Sequence, residues 1–162
     1  MMPTTKKLHL KILFSILLLS AFFSCDKKET VPVTGNRTSN EITFISMSHI
    51  GGTLGEYTIV KVTKDSVFAE KGATANKTHK EWTSSINIDT WKRLISPINV
   101  NDLDDIKSSP SQQPVDGIDE TFQIRTPAKS HIYVNSFADT VHYRQLQQFK
   151  EQLVLILPKE YQ

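Results

Sequence analysis

Five histidines, one cysteine, two knots of acid and one glycine-rich stretch are the residues of this 162-residue chain whose types could do chemistry. The histidines are His9, His49, His79, His131 and His142. None is paired with another at metal-ligand spacing, so a zinc site would need three of them, or two and a carboxylate, to converge by folding alone. The sequence predicts no metal and no cofactor. The acids gather at Asp102, Asp104 and Asp105, and again at Asp116, Asp119 and Glu120. A calcium loop needs more oxygen ligands at alternating positions. Both knots therefore read as solvated loop acids. Ser46-Met47-Ser48-His49 sets serine beside histidine, but neighbours on a strand point to opposite faces. No serine stands in a Gly-x-Ser-x-Gly elbow, and no catalytic residue is assigned.

Two features read as binding candidates. Gly51-Gly52-Thr53-Leu54-Gly55 is either a bulged hairpin connection or a recognition loop. A strand follows it where a phosphate cradle needs a helix N-terminus. Trp82, flanked by His79, Lys80 and Glu81, is the aromatic most suited to an interface. Trp91 falls on a helical apolar stripe and reads as core. The candidate binding residues are thus Gly51, Gly52, Gly55 and Trp82.

The cysteine, Cys25, carries the strongest signal. Lys6, Lys7 and Lys11 precede an apolar run over residues 12–23, which ends in Ala21-Phe22-Phe23-Ser24-Cys25. Such a run is too short to cross about 30 Å of hydrocarbon as a helix. The pattern predicts a lipoprotein signal peptide over residues 1–24, cleaved before an acylated Cys25. Each buried CH2 of the acyl chains would contribute about 0.8 kcal/mol to anchoring in a lipid membrane. Cleavage removes three lysines, leaving 16 basic and 17 acidic residues from the original 19 and 17. No basic tract remains, which excludes a nucleic-acid footprint. Acylation leaves no thiol, which excludes disulfides, thiol nucleophiles and Cys-ligated metals.

The elements that position these residues follow from periodicity. Residues 25–40 are polar and read as a lipidated, flexible tether. A single globular domain is expected over residues 41–158, with a tail at 159–162. Strands are predicted at 42–47, 57–62, 66–71 and 79–88. A helix capped by Asp89 carries Trp91, Leu94 and Ile95 on one side. A polar, proline-containing loop fills 107–117. A second hairpin follows at 122–126 and 131–137. From Thr140, the residues Tyr143, Leu146, Phe149, Leu153, Ile156 and Leu157 form one amphipathic stripe. Strands that arrive as hairpins give an α+β fold: an antiparallel sheet with two main helices packed on one face.

Cys25-Asp26-Lys27-Lys28-Glu29 resembles the charged segment behind the lipidated cysteine in Bacteroidota lipoproteins. The mature domain resembles small outer-membrane lipoproteins of those bacteria through Asp116-Gly117, the strand pair after it and the closing helix. The resemblance implies an address and no activity: the cell envelope, outer membrane, periplasmic or surface-facing. A glycine- and cysteine-rich motif is common after the first strand in that group. Residues 51–55 hold no cysteine, so a thiol role does not carry over. The expected function is a membrane-anchored, non-catalytic domain that binds an envelope protein or glycan. A small hydrolase of envelope polymers and an anchored enzyme inhibitor are the alternatives.

Overall fold

The computed structural model describes residues 40–162; the predicted signal peptide, Cys25 and the tether up to residue 39 lie outside the described residues. The fold is α+β. Six strands form one antiparallel sheet: β1 (Phe44–Gly51), β2 (Glu56–Val62), β3 (Ser66–Ala73), β4 (Thr78–Ser85), β5 (Ile118–Arg125) and β6 (Ser130–Val134). Their spatial order is β4-β3-β2-β1-β5-β6. Two helices, α1 (Ile88–Ile95) and α2 (Tyr143–Val154), follow β4 and β6.

The register lays same-face side chains into rungs that cross the sheet. One rung runs Trp82, Ala69, Val60, Met47, Phe122 and Tyr133. The next runs Ser84, Val67, Val62, Ile45, Ile124 and His131. These two rungs are mostly apolar, and both helices bury their stripes on them. Trp91 and Leu94 of α1 join Leu146, Phe149 and Leu153 of α2 in the core. Phe149 meets Phe122 edge-on, with ring centroids 6.4 Å apart, an arrangement that adds to simple area burial. The third rung on this face is different: Lys80, Lys71, Thr58, His49 and Glu120. The sheet therefore changes from apolar to polar within one residue pair of the core.

Several boundaries differ from the sequence reading, each for a local reason. Helix α1 is capped by Asn87, whose side chain accepts from Thr90 N at 2.8 Å; Asp89 sits in the first turn, where its charge suits the helix dipole. Strand β4 accordingly ends at Ser85. Strand β6 stops at Val134 because Asn135 is left-handed, at φ 49°. Helix α2 begins after Asp139, whose carboxylate accepts from Val141 N and His142 N. The His142 N donor first, with Lys107 N and Val141 N, holds the Asp139 carboxyl far below the usual carboxylate range. Strand β1 runs on to Gly51, and β5 begins at Ile118, four residues before the expected start. The supposed tail forms a turn at Lys159–Tyr161, and Tyr161 is buried against Trp82 at 6.4 Å.

The orientation of α2 makes a measurable difference between Phe149 on its buried stripe and Leu155 at its C-terminal cap. Phe149→Ala should destabilise the domain by about 3–5 kcal/mol, as large-to-small core changes do. Leu155→Ala, at a side chain 74% exposed, should cost less than about 0.5 kcal/mol. Urea unfolding followed by fluorescence checks both, and equal losses would contradict this packing.

Candidate functional site

Strand β5 starts with two adjacent acids, and period-2 alternation sends them to opposite faces of the sheet. Both are buried: Asp119 is 6% exposed and Glu120 7%. This corrects the reading of the second acid knot as solvated loop residues. Asp116 alone keeps that character, as a left-handed, exposed turn residue. The sequence did hold a signal. Stepping the Phe122, Ile124 alternation back by two puts Glu120 on the core face.

Glu120 is the hub of the polar rung. Lys150 Nζ donates to its Oε2 at 2.6 Å, and His49 Nε2 lies 3.0 Å from the same oxygen. Tyr143 Oη donates to Oε1 at 2.6 Å. Helix α2 thus reaches the sheet through two side chains, and β1 adds the third. Burial alone would raise the Glu120 carboxyl, but the bonds from His49, Lys150 and Tyr143 outweigh it, and the pKa falls to about 2. Burial first, and then the hydrogen bond to Glu120 and its charge, lift the Tyr143 hydroxyl well above its ordinary range. Neither group is poised to exchange a proton near neutral pH, which general acid–base catalysis requires.

Asp119 works on the outer face. Ser111 Oγ donates to it at 2.6 Å, Gln112 N at 2.7 Å and Asn135 Nδ2 at 2.7 Å. Burial opposes ionisation here as well, and these three donors reverse it, so the carboxyl sits below its usual range. They fasten the proline-containing loop to the start of β5. The loop in turn meets the glycine hairpin. Gly52 N donates to Gly117 O at 3.2 Å, and Gln113 Nε2 donates to Ile50 O at 3.3 Å. Gly51 has φ 144°, and a Cβ there would stand 2.1 Å from Gly117 O. Only glycine allows that approach.

The sequence candidates therefore separate. Gly51, Gly52 and Gly55 line one open depression of about 520 Å³, together with Tyr57, Ile59 and Gln113. Trp82 lies on the other face, half-buried on the core rung against Tyr161. Ile50 lines the depression; Leu54 and Val115, missed by sequence reasoning, are exposed on the two loops at its edge, and Ile118 is exposed on the opposite, helix-side face of the same end of the sheet. Their signal was an apolar residue in each of two loops; their proximity was not visible.

The histidines also separate. His49 belongs to the Glu120 hub, His142 lies 3.2 Å from Asp139, and His131 is buried 3.3 Å from Asp104. His9 lies outside the described residues. His79 differs from the rest. Its ligand nitrogen and the carboxylate oxygens of Glu70 and Glu81 all lie within 4.8 Å of one another. Folding has made the convergence that the sequence did not predict. Ser46 and Ser48 face away from His49 across β1, so no serine–histidine dyad forms there. Among the described residues, no helix is long and apolar enough to cross a membrane.

The chain matches no protein-family model, and no curated protein matches it in sequence. Function has to be argued from the site.

The hub has a testable pH dependence. A carboxyl whose folded pKa lies below its unfolded value stabilises the fold above the unfolded value, and that stabilisation disappears as pH falls through the folded one. For Glu120 the window runs from 4.5 down to about 2 and is worth about 3 kcal/mol. Glu120→Gln should lose about that much at pH 7, and its deficit against the wild type should narrow below pH 4.5. Urea midpoints measured across pH check this; a constant deficit would show that shape, not charge, is what Glu120 contributes.

Proposed function

We propose that this chain is a membrane-anchored envelope lipoprotein whose domain is a non-catalytic binding module for a protein partner. The tip built from residues 51–55 and 112–118 is the docking edge. The observation that carries the reading is the exposure of four apolar side chains at one end of the sheet: Leu54 and Val115 on two loops fastened to each other, and Ile50 and Ile118 at the strand ends that carry those loops. Neighbouring exposed apolar side chains mark interaction sites more than isolated ones do. The fastening matters equally, because a loop already held in place loses less freedom on binding. An apolar edge favours a protein surface over a glycan.

The hydrolase alternative receives less support. Two carboxylates that do converge in the sheet, Glu70 and Glu81, stand on an open strand surface, and Glu81 is 57% exposed. Sugar hydrolysis by a carboxyl pair needs one acid desolvated enough to remain protonated. The buried acids, Asp119 and Glu120, are held ionised instead.

Two measurements test the proposal. A photo-crosslinking residue at position 53, where Thr53 is exposed, should capture one dominant envelope protein in cells, and the same residue at position 64, just beyond the opposite end of β2, should not. Leu54→Glu with Val115→Glu should abolish capture without lowering the melting temperature, since both side chains are exposed. Capture that survives the double substitution removes the tip from the interface. Cell-wall polymer hydrolysis by the purified protein, lost on a single acid substitution, would overturn the non-catalytic reading. Separately, Cys25→Ala should move the protein from the membrane to the soluble fraction; unchanged partition would exclude the acyl anchor.

A further inference from the structure

Strands β3 and β4 set Glu70 directly opposite Glu81, one rung from the core pair Ala69 and Trp82. Like charges in that position repel. Lys61 Nζ lies 3.1 Å from Glu70, and His79 Nε2 lies 2.9 Å from Glu81. His79 is two residues before Glu81 and therefore on the same, outer face. The three side chains converge because the core pairing of Ala69 with Trp82 fixes the register.

We propose that Glu70, His79 and Glu81 form a binding site for a divalent transition metal, and that zinc is the ion it suits. One imidazole and two carboxylates are a donor set for zinc and its first-row neighbours, not for soft cuprous copper or oxygen-seeking calcium. Ligand atoms around one tetrahedral zinc stand about 3.5 Å apart. Atoms already within 4.8 Å of one another reach that spacing by side-chain rotation, and two of the three side chains are exposed. Three protein donors leave a coordination position open to solvent.

The second observation comes from outside the cluster. Tyr57 Oη lies 2.7 Å from His79 Nδ1. A ligating histidine characteristically has its other nitrogen held this way, which fixes ring orientation and tautomer. A tyrosine hydroxyl both donates and accepts. When His79 Nδ1–H donates to Tyr57, the Nε2 lone pair faces the two carboxylates. The ring of Tyr57 reaches His79 across Gly72, where a Cβ would stand 2.6 Å from the hydroxyl. The sequence places tyrosine, glycine and histidine on one rung of three strands.

This inference rests on residues separate from Leu54 and Val115, so the docking edge and the metal site stand or fall independently. The test is zinc titration of the full-length protein in detergent, purified without a polyhistidine tag, against a weak competing chelator. One zinc per chain is expected. His79→Ala and Glu81→Gln should each weaken binding by about tenfold or more, and Tyr57→Phe by about tenfold. His142→Ala should leave it unchanged. Zinc should raise the melting temperature of the wild type and not of His79→Ala, while the metal-free variants melt with the wild type. Absence of stoichiometric binding, or binding unmoved by His79→Ala, overturns the proposal.

Discussion

The Glu120 carboxylate, buried at the border between the apolar rungs and the polar one, is the constraint on which most of the domain depends. A carboxylate taken out of water costs several kcal/mol unless donors replace its hydration. Three do so, and they come from β1 and from both halves of α2. The helix can therefore sit on the sheet in one register. A slide by one turn would leave Glu120 and Lys150 without each other. The apolar stripe of α2 supplies the larger share of the burial energy, but a stripe tolerates sliding and a buried ion pair does not.

Asp119 extends the same logic to the other face. Because it is adjacent to Glu120, any shift of β5 that broke one cluster would break both. Asn135 couples them: its side chain accepts from Glu120 N at 2.9 Å and donates to Asp119 at 2.7 Å. Its backbone N donates to Glu120 O at 2.8 Å. A single left-handed residue thus ends β6, pairs with β5 and positions the acid that holds the loop. The loop edge at residues 51–55 and 112–118 is consequently tied to the core through two hydrogen-bonded steps. That is how a loop surface acquires the rigidity of a strand.

The strands and the closing helix were legible because their signals are local. Period-2 runs such as Val60 and Val62, and the 3–4 spacing of Leu146, Phe149 and Leu153, report burial directly. Asp119 and Glu120 were not legible, because their residue types argue for solvent and the partners that reverse this are far away in sequence. His49 lies 71 positions from Glu120, and Lys150 lies 30. The inward turn of Trp82 was hidden for the same reason: its neighbour Tyr161 belongs to a segment whose length and polarity read as a tail. The glycines of residues 51–55 showed that the backbone had to do something unusual. They did not show that Gly117, across the β1–β5 pair, was the reason.

The β3–β4 hairpin carries like charges on two consecutive rungs, one on each face. Lys71 opposes Lys80 on the helix side, and Glu70 opposes Glu81 on the outer side. The inner pair is relieved from within the chain. Lys71 donates to the Glu160 carbonyl, and Lys80 lies 3.7 Å from the Glu160 carboxylate. That arrangement holds the C-terminal turn in place and lets Tyr161 close over Trp82. On the outer side, Lys61 balances one of two carboxylates, and among the described residues His79 is the other basic group within salt-bridge distance. Repulsion between opposed charges weakens a ladder wherever it is left alone. A hairpin that keeps its pairing through both rungs therefore needs a counter-charge on each face. Glu160 supplies it inside. Lys61 supplies it outside, and a dication held among Glu70, His79 and Glu81 would draw the two opposed carboxylates onto one shared cation.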